Sequence, residues 1–285
     1  MEWPKALIDE LAARRCIIFL GSGASAGCIA ADCGSSPPIW ITLLNCLKEI
    51  LPSGFDTKTI DTLIAKEKFL DAAEVLIGNI PSADFTSLIR QKLTQPRFMP
   101  SKIHEAVLEI DPKIVITTNY DDIYDNYCRS GMASEGYNVC KYYDQHLVAD
   151  IRSPVRLIIK AHGCVSDPSK IVLARSQYFQ ARQQYSSFFK VLDSLFLTNT
   201  LLFVGYSLSD PDIQLVLENA NIAYPSAHPH YALIPNDVQT DIESAVSNSY
   251  NIQFLKFEAG NYTEVEEDIA DLAQLVIQQR ASNPQ

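Results

Sequence analysis

The chain has 285 residues, 47% of them hydrophobic, enough to bury one large domain or a core with a satellite. A formal net charge of −11, with no basic block and no aromatic–basic interleaving, disfavours direct nucleic-acid binding and a basic membrane-surface helix. No run reaches the roughly 18–20 apolar residues of a membrane span, the N-terminal stretch lacks a signal peptide's apolar centre, and seven scattered cysteines without a CxxC predict a reduced, cytoplasmic protein with no zinc knuckle.

In chain order, MEWPKALIDELAARR has helical character, and CIIFL at residues 16–20 reads as a buried strand that stops at GSGAS. Cys28 and Cys33 are weighed as metal ligands, but no second ligand pair accompanies them, so they are assigned as small loop or core thiols. Trp40, after Pro37-Pro38-Ile39, reads as a packing anchor, and ITLLNCLKEIL as a helix. Residues 57–110 hold no strand pattern. TKTIDTLIAKEKFLDAAEVLIGNIP, SADFTSLIRQKLTQP and SKIHEAVLEID are helical in period and punctuated by Pro81, Pro96 and Pro100, which predicts a helical insertion or small lobe after the first strand. Further strands are predicted at 114–116, 157–159, 171–173, 201–204, 231–234 and 252–255. Helices are predicted in DDIYDNYC, DPDIQLVLENA, VQTDIESAVSN and VEEDIADLAQLVIQQ, with a frayed ASNPQ tail. Tyr142-Tyr143 and Phe188-Phe189 are assigned to core or surface packing, and His104, His228 and His230, lacking metal partners, to structural roles. Strands alternating with helices predict a single 1–285 α/β domain with a mostly parallel sheet and helices on both faces.

Small or polar residues follow each of four apolar runs: GSGAS after CIIFL, Asn119-Tyr120-Asp121-Asp122 after IVITT, His162-Gly163 after LIIKA, and Gly205-Tyr206-Ser207-Leu208-Ser209-Asp210 after LLFV. Parallel neighbours would bring these to one crevice, where open α/β sheets bind ligands. GSGASA satisfies GxGxxA, with Gly21 for the turn, Gly23 for close approach and Ala26 for packing, but the acidic residue of a dehydrogenase half-domain is missing. The segment suits a nucleotide loop and also an ordinary tight turn. His162 suits a satisfied core histidine, or a base at a strand end with Gly163 leaving space beside it. Asn119 suits a crevice ligand or a helix N-cap. Asp121 and Asp122 suit a first helical turn. Asp210 with Pro211 reads as a helix start, Asp at N-cap and Pro at N1, which leaves Ser207 as the better ligand candidate there.

With these residues in order, GSGAS, TTNYD, KAHG and VGYSLSDPDI, the chain resembles the sirtuin-like domains from about residue 16 to 213. The resemblance implies a Rossmann-like NAD-binding fold. The paired CxxC zinc module of sirtuin deacylases is missing, and IAADCGSSPPIW stands where they carry a PDFR-like segment. VGYSLSDPDI and KAHG are instead similar to prokaryotic sirtuin-like NAD hydrolases of antiphage defence, which deplete NAD. The resemblance therefore implies an NAD+ glycohydrolase without zinc, with NAD+ as substrate. At 285 residues, no large fused sensor is expected. Control is expected from self-assembly into a homo-oligomer or from a separate partner such as a HerA-type ATPase or a short Argonaute-type protein.

Carried onto this sequence, the resemblance implies Asn119 and His162 as catalytic residues. Asn119 holds the nicotinamide ribose or the water, and His162 is the base. Gly21, Ser22 and Gly23 hold the pyrophosphate by backbone amides, within a loop that includes Ala24 and adds hydroxyls from Ser22 and Ser25. Thr118 and Asp121 belong to the Asn119 segment, which Asp121 orients. Gly205, Tyr206 and Ser207 hold nucleotide, the last two on the adenosine side. Few basic residues lie near these motifs, Lys160 being nearest to His162, so a helix N-terminus must supply much of the anion binding, about 0.3–1 kcal/mol per exposed charge. Two other readings remain open: an NAD-dependent deacylase or ADP-ribosyl transferase, and a non-catalytic NAD or ADP-ribose sensor.

Overall fold

All five residues of β1 (Cys16–Leu20) are buried, as a strand covered on both faces requires. In the computed structural model, which describes residues 1–31, 34–132, 136–225, 228–238 and 240–282, β1 pairs in parallel with β2 (Ile114–Thr117) on one side and β5 (Thr200–Val204) on the other. Cys33 and residues 283–285 of the tail lie outside the described residues. Beyond β2 come β4 (Arg156–Lys160) and the edge strand β3 (Tyr137–Lys141); beyond β5 come β6 (His230–Pro235) and β7 (Ile252–Phe257). The order is β3-β4-β2-β1-β5-β6-β7 with every pairing parallel, a Rossmann-like sheet.

Successive side chains of a strand point to opposite faces, and β1 feeds two cores accordingly. Cys16, Ile18 and Leu20 pack with Leu7 and Leu11 of α1 (Lys5–Ala12), Val107 and Ile110 of α7 (Lys102–Ile110), and Ile269 and Leu272 of α14 (Tyr262–Ser282). Ile17 and Phe19 pack with Leu192 and Phe196 of α11 (Ser186–Thr198) and with Ile213 and Leu217 of α12 (Pro211–Ala223). A third core joins α3 (Trp40–Glu49), α4 (Lys58–Ala65), α5 (Phe69–Asn79) and α6 (Ser82–Leu93). The long helical pattern at 57–81 is two helices, because Glu67 takes a left-handed φ of +56° between α4 and α5. Within residues 57–110, α7 packs on the sheet with α14, whereas α3, which precedes that stretch, shares the third core.

Residues 171–173 are not a strand. Ile171 and Leu173 fill the third core, and the backbone bonds go elsewhere: Val172 N donates to His162 O at 3.0 Å and Leu173 N to Gln177 Oε1 at 2.9 Å. The run is apolar because it lies between helices and sheet, not because it pairs. The apolar pattern also passes over β3, α9 (Leu147–Arg152), α10 (Arg175–Gln184) and α11. For α10 the reason is physical: RSQYFQARQQ buries only Tyr178 and Ala181, too few for a stripe. In α11 the signal exists, since Phe188, Leu192, Leu195 and Phe196 recur at helical spacing and place Phe188 in the core. Between β1 and α3 lies the short α2 (Ser22–Ala26), after β2 comes α8 (Ile123–Tyr127), and between β6 and β7 comes α13 (Thr240–Tyr250). Among the described residues, no helix is long and apolar enough to cross a membrane.

Candidate active site

Parallel register brings four strand ends level. Leu20 pairs with both Thr117 and Val204, and Thr117 pairs with Lys160. Asn119 and His162 therefore each lie two residues beyond a paired position on adjacent strands, while GSGAS and Gly205 leave β1 and β5 beside them. The connections run to opposite sides of β1, and that switch point is where open α/β sheets bind ligands.

At the switch the two loops touch. Gly21 N donates to Val204 O at 3.0 Å and Gly23 N to Gly205 O at 2.9 Å. A Cβ on Gly21 would lie 2.3 Å from Gly205 O, and one on Gly205, whose φ is +62°, would lie 2.2 Å from Ala24 N. Only glycine permits this backbone contact. The amides of Gly21 and Gly23, expected on a pyrophosphate, are thus bonded to the last residue of β5 and to the β5–α12 connection. Ala24 is buried, with its carbonyl accepting from Ser101 Oγ at 2.9 Å. Ser22 is half-buried and Gly23 exposed.

Asn119 is held from beneath. Its Nδ2 donates to Gly21 O at 2.9 Å and to Ser25 Oγ at 3.2 Å, and its backbone N–H donates to Thr117 Oγ1 at 3.0 Å. Ser25 Oγ donates in turn to Asp121 Oδ2 at 3.1 Å, and Asp121 Oδ1 accepts from Ile123 N at 3.1 Å. Ser25 and Asp121 are both buried, so they tie the Asn119 segment to α2 rather than face a ligand. The N-cap of α8 is Asp122, so Asn119 precedes that helix instead of capping it. Asn119 and Thr118 are half-buried, and Asn119 Oδ1 has no hydrogen-bond partner among the described residues.

Below this segment lies Lys160, 1% exposed, an unusual place for an ammonium. It donates to the carbonyl of Asp121 and pairs with Asp125 at 3.3 Å and Asp122 at 3.7 Å. Burial pushes its pKa down, but Asp125, Asp121 and Asp122 outweigh that and hold it above its ordinary value. Lys160 therefore holds the Asn119 turn and is not available to an anionic ligand.

His162 is 4% exposed. Its Nε2 is 3.4 Å from Asp210 Oδ2, and its Nδ1 is 3.4 Å from the hydroxyl of Tyr178 on α10. Tyr178 donates to the same Asp210 Oδ2 at 2.7 Å. Burial lowers the imidazole's pKa and Asp210 opposes the shift, leaving a neutral ring at physiological pH. The ring lies under Tyr178 and Asp210, not open to the crevice. The space beside Gly163, whose φ is +78°, is filled by the backbone, since a Cβ would meet Lys170 O at 2.5 Å. Asp210 does cap α12, its Oδ1 accepting from Asp212 N and Ile213 N at 2.9 and 3.1 Å, and its second oxygen serves His162. That second role had no sequence signal, and Tyr178 sits on a helix the periodicity misses.

Tyr206 differs from expectation. Its ring packs on Phe19 and Phe203, with centroids 4.6 and 5.6 Å apart, and its hydroxyl is buried without a partner among the described residues. It is a wall of the core first. Ser207 is exposed and bonds Ser209 through the hydroxyls at 2.7 Å. Clefts of 510 Å³, lined by residues such as Asn221 and Phe254, and of 250 Å³, beside Ala6, have none of these strand-end residues in their walls. His104 and His230 are buried acceptors of backbone amides from Ser101 and Leu201 at 3.2 Å, which pushes neither toward a ligand.

The profile of the SIR2-like domain matches residues 113–255, half of the chain, from the start of β2 through Asn119, His162 and Asp210. The chain belongs to the SIR2-like family. This SIR2-like chain is 24% identical over 155 residues to the NAD(+) hydrolase ThsA of Acinetobacter baumannii (strain 532279), covering 54% of this chain and 31% of that protein. It is 27% identical over 169 residues to the NAD(+) hydrolase ThsA of Bacillus cereus (strain MSX-D12), covering 53% and 34%. It is 30% identical over 122 residues to the defense-associated sirtuin 2 of Bacillus subtilis, covering 40% and 11%. The matched stretches thus amount to about a third or less of these relatives' own length.

Asp212, two residues beyond Asp210, is 1% exposed. Burial, then Asp210, pushes its pKa up to about 7, with Arg182 Nε at 3.3 Å pulling the other way. A carboxyl that binds its proton more tightly when folded makes stability fall as pH rises from its unfolded value near 4 to its folded one. Asp212→Asn is therefore expected to leave stability unchanged near pH 4. The gain then grows by about 1.4 kcal/mol per pH unit toward pH 7 and stays constant above it. Denaturant unfolding of both proteins at several pH values measures this; a gain independent of pH removes the assignment.

Proposed function

We propose that this SIR2-like chain is an NAD+ hydrolase that cleaves the nicotinamide–ribose bond to give nicotinamide and ADP-ribose. The observation that carries the reading is the level pair of Asn119 and neutral His162 at adjacent strand ends beside the switch point. The names of the relatives, NAD(+) hydrolase and defense-associated sirtuin, support it. Nicotinamide leaves as a neutral molecule, because the electron pair of the broken C–N bond returns to a pyridinium nitrogen. No strong acid is required. Water bonds to the ribose carbon and its proton passes to His162. Asn119 Oδ1, without a partner among the described residues, accepts from a ribose hydroxyl or from that water, while Nδ2 stays anchored on Gly21 and Ser25. Ser22, Gly23 and Ser207 are the accessible loop groups for the nucleotide.

The cover over His162 motivates a resting state. Catalysis needs Tyr178 to withdraw, and the Gly23–Gly205 contact to open for phosphate binding. Homo-oligomer assembly or a separate partner supplies that change, with depletion of cytoplasmic NAD+ in antiphage defence as the outcome. Purified protein is incubated with NAD+, alone and with the product of a neighbouring gene, and products are separated by chromatography. Equal amounts of nicotinamide and ADP-ribose are expected. Nicotinamide release that requires an acylated peptide reassigns the site to deacylation. Tight NAD+ binding with no turnover under every condition makes it a sensor.

A further inference from the structure

We propose that Cys140, His146 and Asp150 form a transition-metal site, best suited to Zn²⁺, at the β3 edge of the sheet. Cys140 is the penultimate residue of β3 and is fully buried; His146, the N-cap of α9, and Asp150 within that helix are four residues apart and so share one helix face. Their donor atoms converge. Cys140 Sγ lies 3.6 Å from His146 Nδ1 and 2.9 Å from Asp150 Oδ2, and Nδ1 lies 2.7 Å from that same oxygen.

The convergence separates metal binding from nucleophilic catalysis. A Cys–His–Asp relay needs the thiol on one ring nitrogen and the carboxylate on the other. Here both meet Nδ1, and the remaining nitrogen belongs to a side chain 61% exposed. Three different donors aimed at one point match a chelate. Zinc takes thiolate at about 2.3 Å, imidazole at about 2.0–2.1 Å and carboxylate at about 2.0–2.2 Å, so a tetrahedral set spaces these atoms about 3.3–3.6 Å apart. The Cys140–His146 separation already fits. The two separations to Asp150 must each open by about 0.7 Å, within reach of a solvent-facing imidazole and a carboxylate 20% exposed. Water completes the shell.

A mixed S, N, O donor set favours zinc over the all-oxygen shells of Ca²⁺ and Mg²⁺. The ion would staple α9 to an edge strand, and β3 adjoins β4, the strand that leads to His162. A search for CxxC cannot find it, because its ligands follow a C-x5-H-x3-D spacing. The missing CxxC is why the sequence alone predicts no metal.

Titration of metal-free protein with Zn²⁺ or Co²⁺ tests the site. One equivalent of Co²⁺ is expected to give a thiolate charge-transfer band with tetrahedral d–d absorption. Zn²⁺ is expected to displace it and to raise the thermal midpoint. His146→Ala, a substitution at an exposed side chain, should remove the band and weaken Zn²⁺ binding by more than the roughly 10–100-fold typical of losing a supporting residue. Asp150→Asn should weaken it in the same direction. A protein that shows no thiolate band, or that binds Zn²⁺ equally well as His146→Ala, overturns the proposal.

Discussion

His162→Ala is expected to lower nicotinamide release from NAD+ by about 10²–10⁴-fold, the usual worth of a positioned general base. Asp210→Asn is expected to lose much of the same factor while leaving the fold intact. Asparagine caps a helix as well as aspartate does, so the bonds to Asp212 N and Ile213 N survive. What is lost is the charge 3.4 Å from His162 Nε2, which orients the ring and stabilises the imidazolium as it takes a proton, together with the charged acceptor of the Tyr178 hydroxyl. The pH profile distinguishes this from a structural effect. Burial lowers the pKa of His162 and Asp210 raises it, so removing the carboxylate lets burial act alone. Activity depends on the neutral ring and rises with pH through that pKa; the acidic limb of the Asp210→Asn profile therefore moves to lower pH. Full activity retained in both Asn119→Ala and His162→Ala rules out the assigned roles. A lowered rate with an unmoved acidic limb in Asp210→Asn makes Asp210 a cap alone.

The residues on either side of this chemistry show what a sequence can and cannot display. CIIFL, IVITT and LLFV were readable as buried strands because interior parallel strands are apolar throughout, and the polar residues after them mark strand ends. The partner of each loop was not readable. Gly21 and Gly23 fit a phosphate loop by pattern, yet their neighbour is Gly205, far along the chain after β5, which no local pattern records. Ser25 reads as a hydroxyl contact for the nucleotide and Asp121 as the residue that orients the Asn119 segment, but no local pattern shows that the two bond each other and are buried. Tyr178 covers His162 from a helix with two buried residues and no apolar stripe. The 171–173 run shows the converse, where apolar content came from packing between layers and not from pairing. Local composition reports burial; it does not report which distant backbone lies opposite.

Lys160→Met is expected to cost about 3–5 kcal/mol, the usual loss when one partner of a buried charge cluster is removed. Methionine fills the same unbranched volume, so a cavity is not the cause. Asp125 is 3% exposed and one of its oxygens already has no hydrogen-bond partner among the described residues, and Asp122 stands 3.7 Å from the missing ammonium. Without Lys160 these carboxylates must stay charged in an apolar setting or take up protons, and the carbonyl of Asp121 loses its donor. The loss should therefore shrink as pH falls, because protonation removes the uncompensated charge. A second substitution separates charge from packing: in Lys160→Met with Asp125→Asn, much of the stability should return, giving a coupling energy of about 0.5–3 kcal/mol. Asn119 should not recover with it. Its turn is held by Ser25 and Gly21 from one side and by the Lys160–Asp121 bond from below, so the double variant is expected to be stable but impaired in NAD+ turnover. Chemical denaturation at pH 5 and pH 8, run with the nicotinamide assay, measures both effects. A Lys160→Met protein within about 1 kcal/mol of the parent at pH 8 means that water reaches these carboxylates, and the buried cluster is then not what fixes the Asn119 turn.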